Sequence, residues 1–431
     1  MKLCPIATRW QTLLSAVQGP SRTFHVVGLG LFGGQLALIQ TLASLGHRVE
    51  LWEVKSEELL RESWRELARF HHQISAHWEQ DPVLPLDDWV FVTPAMPPHH
   101  PALKKLDPEF LSTEIELSLS LAQDEGIRWH AIIGSVGKST TGLLLSKALE
   151  LPFVGNIGRS LLSLPKPWPT ELVVELSSFQ LHYLRFSQLF PSSSMVTPIG
   201  DHHAVWHGGV EAYQQSKLVW AEQWKAQAVQ TRSESFSDDE LSFANKIWGE
   251  RSFELLGAHN HRNLMAVLVH LRAMDRLDEQ HLENLTLVRG LPHRLQVCGE
   301  LNGHRLINDS KATSPGAVLE ALRSMPENEP LTLILQGKPV ADMTEVLVLA
   351  KKRCCHVVLV GEMRGLTADL ELNMEVVHAE SLTQYFNSLK TLKSSQLFSP
   401  GAPSYGQYSN YEQRGQDFIS GAERLMNSVS S

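Results

Sequence analysis

The segment GSVGKST, residues 134–140, is the feature that most restricts the folds open to this chain. It follows the apolar run HAII and precedes a pattern of apolar positions typical of a helix. A strand, a glycine loop and a helix in this order direct the free N–H groups and the dipole of the helix start toward a phosphate. The sequence therefore predicts an α/β domain with a phosphate-binding loop.

The residues of this phosphate loop have distinct expected roles in binding ATP and Mg²⁺. Lys138 would neutralise the terminal phosphates, and Ser139 would reach Mg²⁺. The remaining loop positions would bind ATP as well: Gly134, Ser135, Gly137 and Thr140. The strict eight-residue phosphate-loop pattern is not met, because Ile132 stands where its first Gly belongs. A helix start with an incidental lysine is therefore the alternative interpretation.

A second glycine turn, Gly28-x-Gly30-x-x-Gly33, follows the apolar run TFHVV near the N-terminus. Glu53, about 20 residues beyond the turn, completes a pattern that binds dinucleotides, with the acid on a ribose hydroxyl. Taken alone, the pattern allows a nicotinamide-dependent oxidoreductase. It also allows glycines that serve only a tight turn between strand and helix.

Alternating apolar runs and helical patterns divide the chain into three consecutive α/β segments. We expect a Rossmann-like domain at 1–112, a central domain similar to phosphate-loop ATPases at 113–291, and a Rossmann-like domain at 292–431. The polar stretch RSESFSDDE near residues 232–240 is expected to be a loop. In the third segment, Ser314 and Pro315 predict a helix start.

Composition excludes several functional classes. A net charge of -9 argues against nucleic-acid binding, which needs clustered Lys and Arg. The four cysteines lack the spacing of a disulfide framework or a zinc site, and are expected to be reduced. No apolar run has the length of a membrane span or the form of a signal peptide. We expect a cytoplasmic monomer with no membrane insertion.

Further motifs follow the phosphate loop in a fixed order: VGNIG at 154–158, ELSSFQL at 175–181, GAHNHRN, LPHRLQ, INDSKATS and SPGAPSYGQYSNYEQRG. In this order they resemble the Mur ligase family over nearly the whole chain, with ELSSFQL and NDSKAT most similar to its glutamate-adding member. The resemblance implies an ATP-dependent amide-bond-forming ligase of peptidoglycan precursor synthesis. Its substrates would be UDP-N-acetylmuramoyl-L-alanine and D-glutamate, joined through an acyl phosphate, with ATP and two Mg²⁺ ions.

The resemblance also implies roles for individual residues. Catalysis would involve Lys138, His202 and Lys217, with Lys217 carbamylated. The metal ligands would be Ser139, Glu175, His202 and Lys217. ATP would also contact Asn260, Asn263, Arg294, Asp309 and Lys311. The UDP substrate would contact Gly30, Leu31, Phe32, Glu53, Thr93, Asn156, Ser177 and Gln180. Glutamate would contact Thr313, Lys338, Ser404, Tyr405 and Tyr411.

Several of these residues have structural interpretations when considered alone. Glu175 ends an apolar strand, where a carboxylate either holds Mg²⁺ or faces solvent. Ser177 fits ordinary turn chemistry, and Asn260 fits helix capping. Asn260 and Asn263 are spaced to share one helix face, from which their amides would read adenine. Considered alone, the His-rich loop around His202 fits a plain surface loop better than a metal site, and the match at Lys217 reverses this preference.

Four residues depart from the family pattern: Val136 and Ala204 replace polar residues, and Tyr405-Gly406 replaces a Leu-Asp pair. The change at Tyr405 leaves open the same reaction with L-glutamate. The loss of polar residues at Val136 and Ala204 leaves open a non-catalytic homologue that binds a UDP-sugar.

Overall fold

The computed structural model describes residues 9–30, 33–157, 159–185, 187–200, 204–339, 341–369, 375–404, 407–408 and 410–430. The chain divides into two compact units, Met1–Gly249 with Asn263–Asn284, and Glu250–Arg262 with Leu285–Ser431. The first unit contains two five-stranded sheets, and the second contains one six-stranded sheet. Three successive α/β sheets confirm the predicted fold class. The exact domain boundaries remain predictions.

The first sheet is built from β1 (Thr23–Val27), β2 (Arg48–Glu53), β3 (Ile74–Trp78), β4 (Val90–Val92) and β5 (Leu111–Ser112). Its strands are parallel in the order β3-β2-β1-β4-β5. The accompanying helices are α1 (Arg9–Gln18), α2 (Gly34–Ser44), α3 (Arg61–Glu66) and α4 (Glu114–Asp124). Leu38, Leu51 and Phe91 are fully buried in its core, as the apolar strand runs predicted.

The second sheet is built from β6 (Arg128–Ile133), β7 (Phe153–Gly155), β8 (Glu171–Glu175), β9 (Ser193–Val196) and β10 (Val229–Arg232). All its pairings are parallel, in the order β10-β9-β6-β8-β7. The helices that follow in the chain are α5 (Lys138–Leu149), α6 (Ser178–Leu184), α7 (Ala204–His207), α8 (Val210–Lys225), α9 (Asp238–Trp248), α10 (Ala258–Ala273) and α11 (Glu279–Thr286).

The predicted loop at 232–240 is wrong at its C-terminal end, because α9 begins at Asp238. Ser237 caps this helix: its hydroxyl accepts a hydrogen bond from the main-chain N–H of Glu240, whose carboxylate accepts one from the N–H of Ser237. This reciprocal pair satisfies two of the unpaired N–H groups at a helix start. The sequence contained this signal, a Ser followed three residues later by a Glu.

The third sheet is built from β11 (Gln296–Leu301), β12 (His304–Asn308), β13 (Leu331–Gln336), β14 (His356–Val360), β15 (Glu375–Ala379) and β16 (Ser395–Phe398). The order is β11-β12-β16-β13-β14-β15, and β11 pairs antiparallel with β12. Its helices are α12 (Pro315–Ser324), α13 (Thr344–Arg353), α14 (Leu382–Ser388) and α15 (Tyr411–Ser430). Ser314 caps α12 and Pro315 opens it, as predicted.

A fully buried ion pair ties α1 to α4. Arg9 donates to both carboxylate oxygens of Glu116, at 2.6 and 3.0 Å, and its other N–H groups bond main-chain oxygens of the segment before α4. Glu116 also accepts hydrogen bonds from Ser112 and Ser187. Removing either partner would leave a buried charge unpaired, which typically costs about 3–5 kcal/mol. The sequence patterns described above predicted neither α1 nor this ion pair.

A chain of buried polar groups crosses the second sheet. Glu171 lies 3.4 Å from His130, and the hydroxyl of Ser193 lies 2.8 Å from both His130 and His270. Thr231 lies 2.8 Å from the other nitrogen of His270. Burial lowers the pKa of His130 to about 4 and that of His270 to about 3. Both imidazoles are therefore neutral in the folded protein at neutral pH.

We predict that stability falls as the pH drops below about 6.5, the pKa of an unfolded histidine. Because the folded pKa values are lowered, the unfolded state binds protons first, and the free energy of unfolding should fall by about 1.4 kcal/mol per pH unit for each histidine. Urea unfolding at about pH 7 and about pH 5 measures this slope. His270→Gln should reduce this slope, because only His130 of the pair remains, and His72→Gln, at an exposed position, should not change it. Equal slopes in all three proteins would refute the prediction.

Candidate functional site

The second sheet gathers the residues of the predicted phosphate site at one edge. Because its strands are parallel, the segments that follow β6, β7, β8 and β9 all begin at the same edge. These segments contain the phosphate loop after β6, Asn156 after β7, Ser177 after β8 and Thr197 after β9. Glu175 is the last residue of β8. The chain order and the sheet order together thus create a single polar edge.

The phosphate loop has a backbone that requires its two glycines. Gly134 has φ 132°, and a Cβ there would overlap the Thr197 side chain. Gly137 has φ 84°, and a Cβ there would lie 2.8 Å from Oδ1 of Asn263. Both φ values lie where residues with side chains are strained. The loop then enters α5 at Lys138, so the structure has the predicted order of strand, loop and helix.

Two lysines converge on Ser135 of this loop. Lys138 Nζ donates to the Ser135 carbonyl oxygen at 3.0 Å, and Lys217 Nζ donates to the Ser135 hydroxyl at 3.3 Å. Tyr213 bonds the same hydroxyl at 2.6 Å and also contacts Lys217. Lys217 is only 1 % exposed. Its burial, and secondarily the charge of Lys138, lower the pKa of Lys217 to about 6, so its amine is neutral above that pH.

Glu175 supplies a buried carboxylate to the same edge. Its Oε1 accepts a hydrogen bond from Asn156 Nδ2 at 2.9 Å, and its Oε2 is buried with no hydrogen-bond partner among the described residues. A buried, unpaired carboxylate oxygen is costly unless a cation or a donor binds it. Oxygen is also the ligand that Mg²⁺ prefers, so Glu175 fits a role in holding this ion.

Of the other three proposed metal ligands, the structure describes Ser139 and Lys217. Ser139 lies in the first turn of α5, directly after the phosphate loop. The buried Lys217 contacts that loop at Ser135. His202 lies outside the described residues. Within the ranges that the structure describes, no three His, Cys, Asp or Glu side chains are grouped as a metal site.

Ser177 and Gln180 form a capping box at the start of α6. The Ser177 hydroxyl accepts from the Gln180 N–H at 3.2 Å, and Gln180 Oε1 accepts from the Ser177 N–H at 2.9 Å. Their local structural role is therefore evident, whereas their contact with a substrate stays a prediction.

Two carboxyl groups lie against the glycine turn of the first sheet. Glu53 accepts main-chain N–H groups of Leu29 and Lys55, at 2.8 and 3.0 Å. The carboxyl of the buried Glu114 lies 3.3 Å from a Cβ built at Gly34, beside the start of α2. That helix start is where a dinucleotide fingerprint binds its pyrophosphate. Because a nicotinamide dinucleotide and UDP both carry a diphosphate, this turn fits either ligand.

The remaining residues of this predicted UDP pocket are divided between described and undescribed positions. Thr93 follows β4 and lies 2.9 Å from a Cβ built at Gly28, so its side chain borders the turn. Gly30 is part of the same turn. Leu31 and Phe32 lie outside the described residues.

In the second unit, the third sheet brings together two of the residues predicted to bind glutamate. The neighbouring strands β12, β16, β13 and β14 are parallel, so the segments after them share one edge. A small pocket there is lined by Gln336, Gly337, Lys338, Glu362, Pro403, Ser404, Gln407, Tyr408 and Arg414. Lys338 and Ser404 are thus brought together. Thr313 is exposed, and Tyr405 lies outside the described residues.

Arg414 is a residue of this pocket that the sequence did not reveal. It is fully buried and donates to the main-chain oxygens of Ala402 and Ser310, each at 2.8 Å. Its bonds hold the segment after β16 against the segment after β12. The motif QRG contains it, but the pattern alone does not separate this structural role from a binding one.

The segment after β12 also contains the predicted ATP contacts of this unit. Asp309 is 8 % exposed and accepts a hydrogen bond from Ser399 at 2.8 Å, and its burial raises the pKa of the carboxyl to about 7. Lys311 Nζ lies 5.0 Å from the ring centre of Tyr411. Arg294 is exposed.

The two predicted adenine-reading residues lie in α10, as expected, and both are buried. Asn263, in the first unit, lies beside Gly137. Asn260, in the second unit, donates from Nδ2 to the carbonyl oxygen of Leu256 at 2.8 Å. Asn260 thus has a local main-chain bond.

Known proteins resemble this chain over almost its full length. It is 29 % identical to a UDP-N-acetylmuramoylalanine--D-glutamate ligase of Trichlorobacter lovleyi, covering 94 % of this chain and 99 % of that one. A protein of the same name from Pseudothermotoga lettingae is 26 % identical, covering 92 % and 97 %. The crystal structure of UDP-N-acetylmuramate-alanine ligase MurC from Thermotoga maritima matches with a TM-score of 0.57 at 17 % identity, covering 95 % and 99 %. No protein-family model matches the sequence.

These likenesses confirm the predicted resemblance to the Mur ligases and, within them, to the D-glutamate ligases. They also confirm the predicted class of enzyme, a ligase that forms an amide bond. None of the described helices combines the length and apolar character needed to cross a membrane.

We predict that Gly134→Ala abolishes nucleotide binding, because the new methyl would overlap Thr197 and push the loop out of place. Gly126→Ala is the matched control, since Gly126 also has a positive φ, 69°, but has open space around it. It should lose only about 1 kcal/mol of stability and keep normal nucleotide affinity. Calorimetric titration with ATP, together with urea unfolding, distinguishes the two variants. Equal ATP affinity in both would contradict the assignment of the loop.

Proposed function

We propose that this protein uses ATP to join D-glutamate to UDP-N-acetylmuramoyl-L-alanine in the synthesis of a peptidoglycan precursor in the cytoplasm. The observation that best supports this proposal is the convergence of Lys138, Lys217 and Ser135 at a strained glycine loop. The relatives named D-glutamate ligases support the same substrates.

In the proposed reaction, the alanine carboxylate attacks the γ-phosphate of ATP and gives an acyl phosphate and ADP. Two anions must approach each other, so the site has to position them and neutralise their charge. Lys138 would neutralise the phosphate oxygens, while the N–H groups at the start of α5 bind the phosphates. The amine of glutamate then displaces phosphate from the acyl phosphate and forms the amide.

Lys217 has the properties required for carbamylation. Only a neutral amine adds CO₂, and burial keeps the amine of Lys217 neutral above a pKa of about 6. The resulting carbamate would be an anionic oxygen ligand at the same sheet edge as the Glu175 carboxylate. With Ser139 and His202, these groups would hold Mg²⁺, which when bound polarises phosphoryl oxygens and neutralises developing charge.

The resemblance assigns further residues of the chain to each substrate. The UDP part would lie on the turn of the first sheet, at Gly30, Leu31, Phe32, Glu53 and Thr93, with Asn156, Ser177 and Gln180. Asn260, Asn263, Arg294, Asp309 and Lys311 would bind ATP. Glutamate would bind at Lys338, Ser404, Tyr405, Thr313 and Tyr411. The pairing of Lys338 with Ser404 in one pocket favours a ligand with a carboxylate.

A non-catalytic homologue that binds a UDP-sugar is the second candidate. It is favoured by Val136, a polar position in the family that is 52 % exposed here in the phosphate loop. A release of ADP that depends on both the UDP substrate and the amino acid would exclude it.

We predict that Lys138→Ala abolishes ligation while leaving binding of the UDP substrate nearly unchanged. The removed charge would act on the phosphates of ATP, whereas the UDP part would bind mainly at the turn of the first sheet. Lys147→Ala, at an exposed position in the last turn of the same helix, is the matched control and should keep full activity. Product formation is followed by chromatography, and UDP-substrate affinity by calorimetry. Normal ligation by Lys138→Ala would refute the proposed mechanism.

A second prediction concerns the carbamate. Lys217→Ala should lose at least about 100-fold in turnover, as expected when a metal ligand is removed, and should partly recover with added acetate or formate. The native enzyme should lose activity as the pH falls through about 6, where the amine of Lys217 becomes charged. Full activity of Lys217→Ala without an added carboxylate would exclude a catalytic carbamate.

A further inference from the structure

The turn Pro94–Met96 follows Thr93 at the end of β4, in the proposed UDP pocket. Two aromatic side chains from the helices of the second sheet bond its carbonyl oxygens. Trp206 donates its indole N–H to Ala95 at 2.9 Å, and Tyr183 donates its hydroxyl to Met96 at 2.5 Å. These two bonds join the first sheet's substrate turn to elements of the second sheet.

Trp206 is itself fixed by rings of α6. Its ring centre lies 4.5 Å from that of Phe179 and 5.3 Å from that of His182. Tyr183, the next residue of α6, is 1 % exposed and packs in the cluster that contains Val27 and Val92. The aromatic clamp, defined here as Trp206 and Tyr183, therefore has a rigid base on α6.

The location of the clamp relates it to the proposed chemistry. Helix α6 begins just beyond Glu175, the buried carboxylate of the second sheet. Helix α7, which contains Trp206, lies in the chain between His202 and Lys217. The clamp thus connects the turn at Thr93 with both segments that would hold the metal.

We propose that Trp206 and Tyr183 are positioning residues that hold the Pro94–Met96 turn in the geometry that binds the UDP substrate. This inference rests on the proposed function for its ligand, and on the two hydrogen bonds for its mechanism. Neither side chain needs to touch the reacting atoms. Their bonds supplement the one main-chain hydrogen bond that the described residues show within this turn, from Met96 N–H to the carbonyl oxygen of Thr93 at 2.9 Å.

The test uses substitutions that each remove one hydrogen-bond donor and keep an aromatic ring. Trp206→Phe keeps a ring against α6 but loses the N–H, and Tyr183→Phe loses only the hydroxyl. Trp168→Phe is the matched control, because Trp168 is half-buried and also donates its indole N–H to a carbonyl oxygen, that of Leu164 at 3.3 Å. Trp168 has no role in the proposed site.

Each clamp variant should raise the KM for the UDP substrate about 2- to 10-fold, the value of one lost hydrogen bond. The KM values for ATP and glutamate should stay within about two-fold, because a local change in the turn affects one ligand. Trp168→Phe should leave all three unchanged. A uniform fall in kcat without a selective rise in this KM, or unchanged constants in both clamp variants, would overturn the proposal.

Hydrogen–deuterium exchange tests the clamp independently of activity. The amides of Ala95, Met96, His99 and His100 should exchange faster in Trp206→Phe and Tyr183→Phe than in the native protein and in Trp168→Phe. If the native protein ligates nothing while this difference is present, the proposed function fails and the clamp remains. If exchange is identical in all four proteins, the clamp fails whatever the activity.

Discussion

Lys217 places a primary amine inside the protein, bonded to the hydroxyls of Ser135 and Tyr213. Burying a charged amine without an opposite charge is unfavourable, and burial therefore lowers the pKa of Lys217 to about 6. The amine is consequently a neutral group at physiological pH. It contacts Ser135 of the phosphate loop, which Lys138 also contacts. The chemistry proposed for the site depends on this state, because a charged ammonium would neither form a carbamate nor serve as a ligand.

The geometry of parallel sheets explains how distant sequence segments meet at this amine. In the second sheet, the phosphate loop, Asn156 and Glu175 lie at or beyond the ends of three neighbouring strands, β6, β7 and β8. In the third sheet, the same arrangement brings Lys338 and Ser404 into one pocket. Each sheet thus brings polar segments that are distant in the chain to one edge, as is general for open parallel sheets. The two units achieve this separately, each with its own core.

The parts of the structure that the sequence predicted are those with strong local signals. The glycines of residues 134 and 137 mark a loop that only positive φ values allow, and Ser314-Pro315 marks the start of α12. The missed features depend on contacts between distant segments. Arg9 and Glu116 are 107 residues apart, and Arg414 and Ser310 are 104 apart, so no local pattern announces either contact. Ser177 and Gln180 illustrate the opposite case, since one pair of residues satisfies both a family motif and a capping box.

Peptide-bond formation with a defined enantiomer is the central claim, and a phosphate-release assay tests it most directly. The purified protein is given ATP, Mg²⁺ and UDP-N-acetylmuramoyl-L-alanine, with D-glutamate or L-glutamate added in parallel reactions. The proposal predicts rapid phosphate release with D-glutamate that requires all the other components, and little release with L-glutamate. Release that proceeds without the UDP substrate, equal release with L-glutamate, or no release with either enantiomer would contradict it.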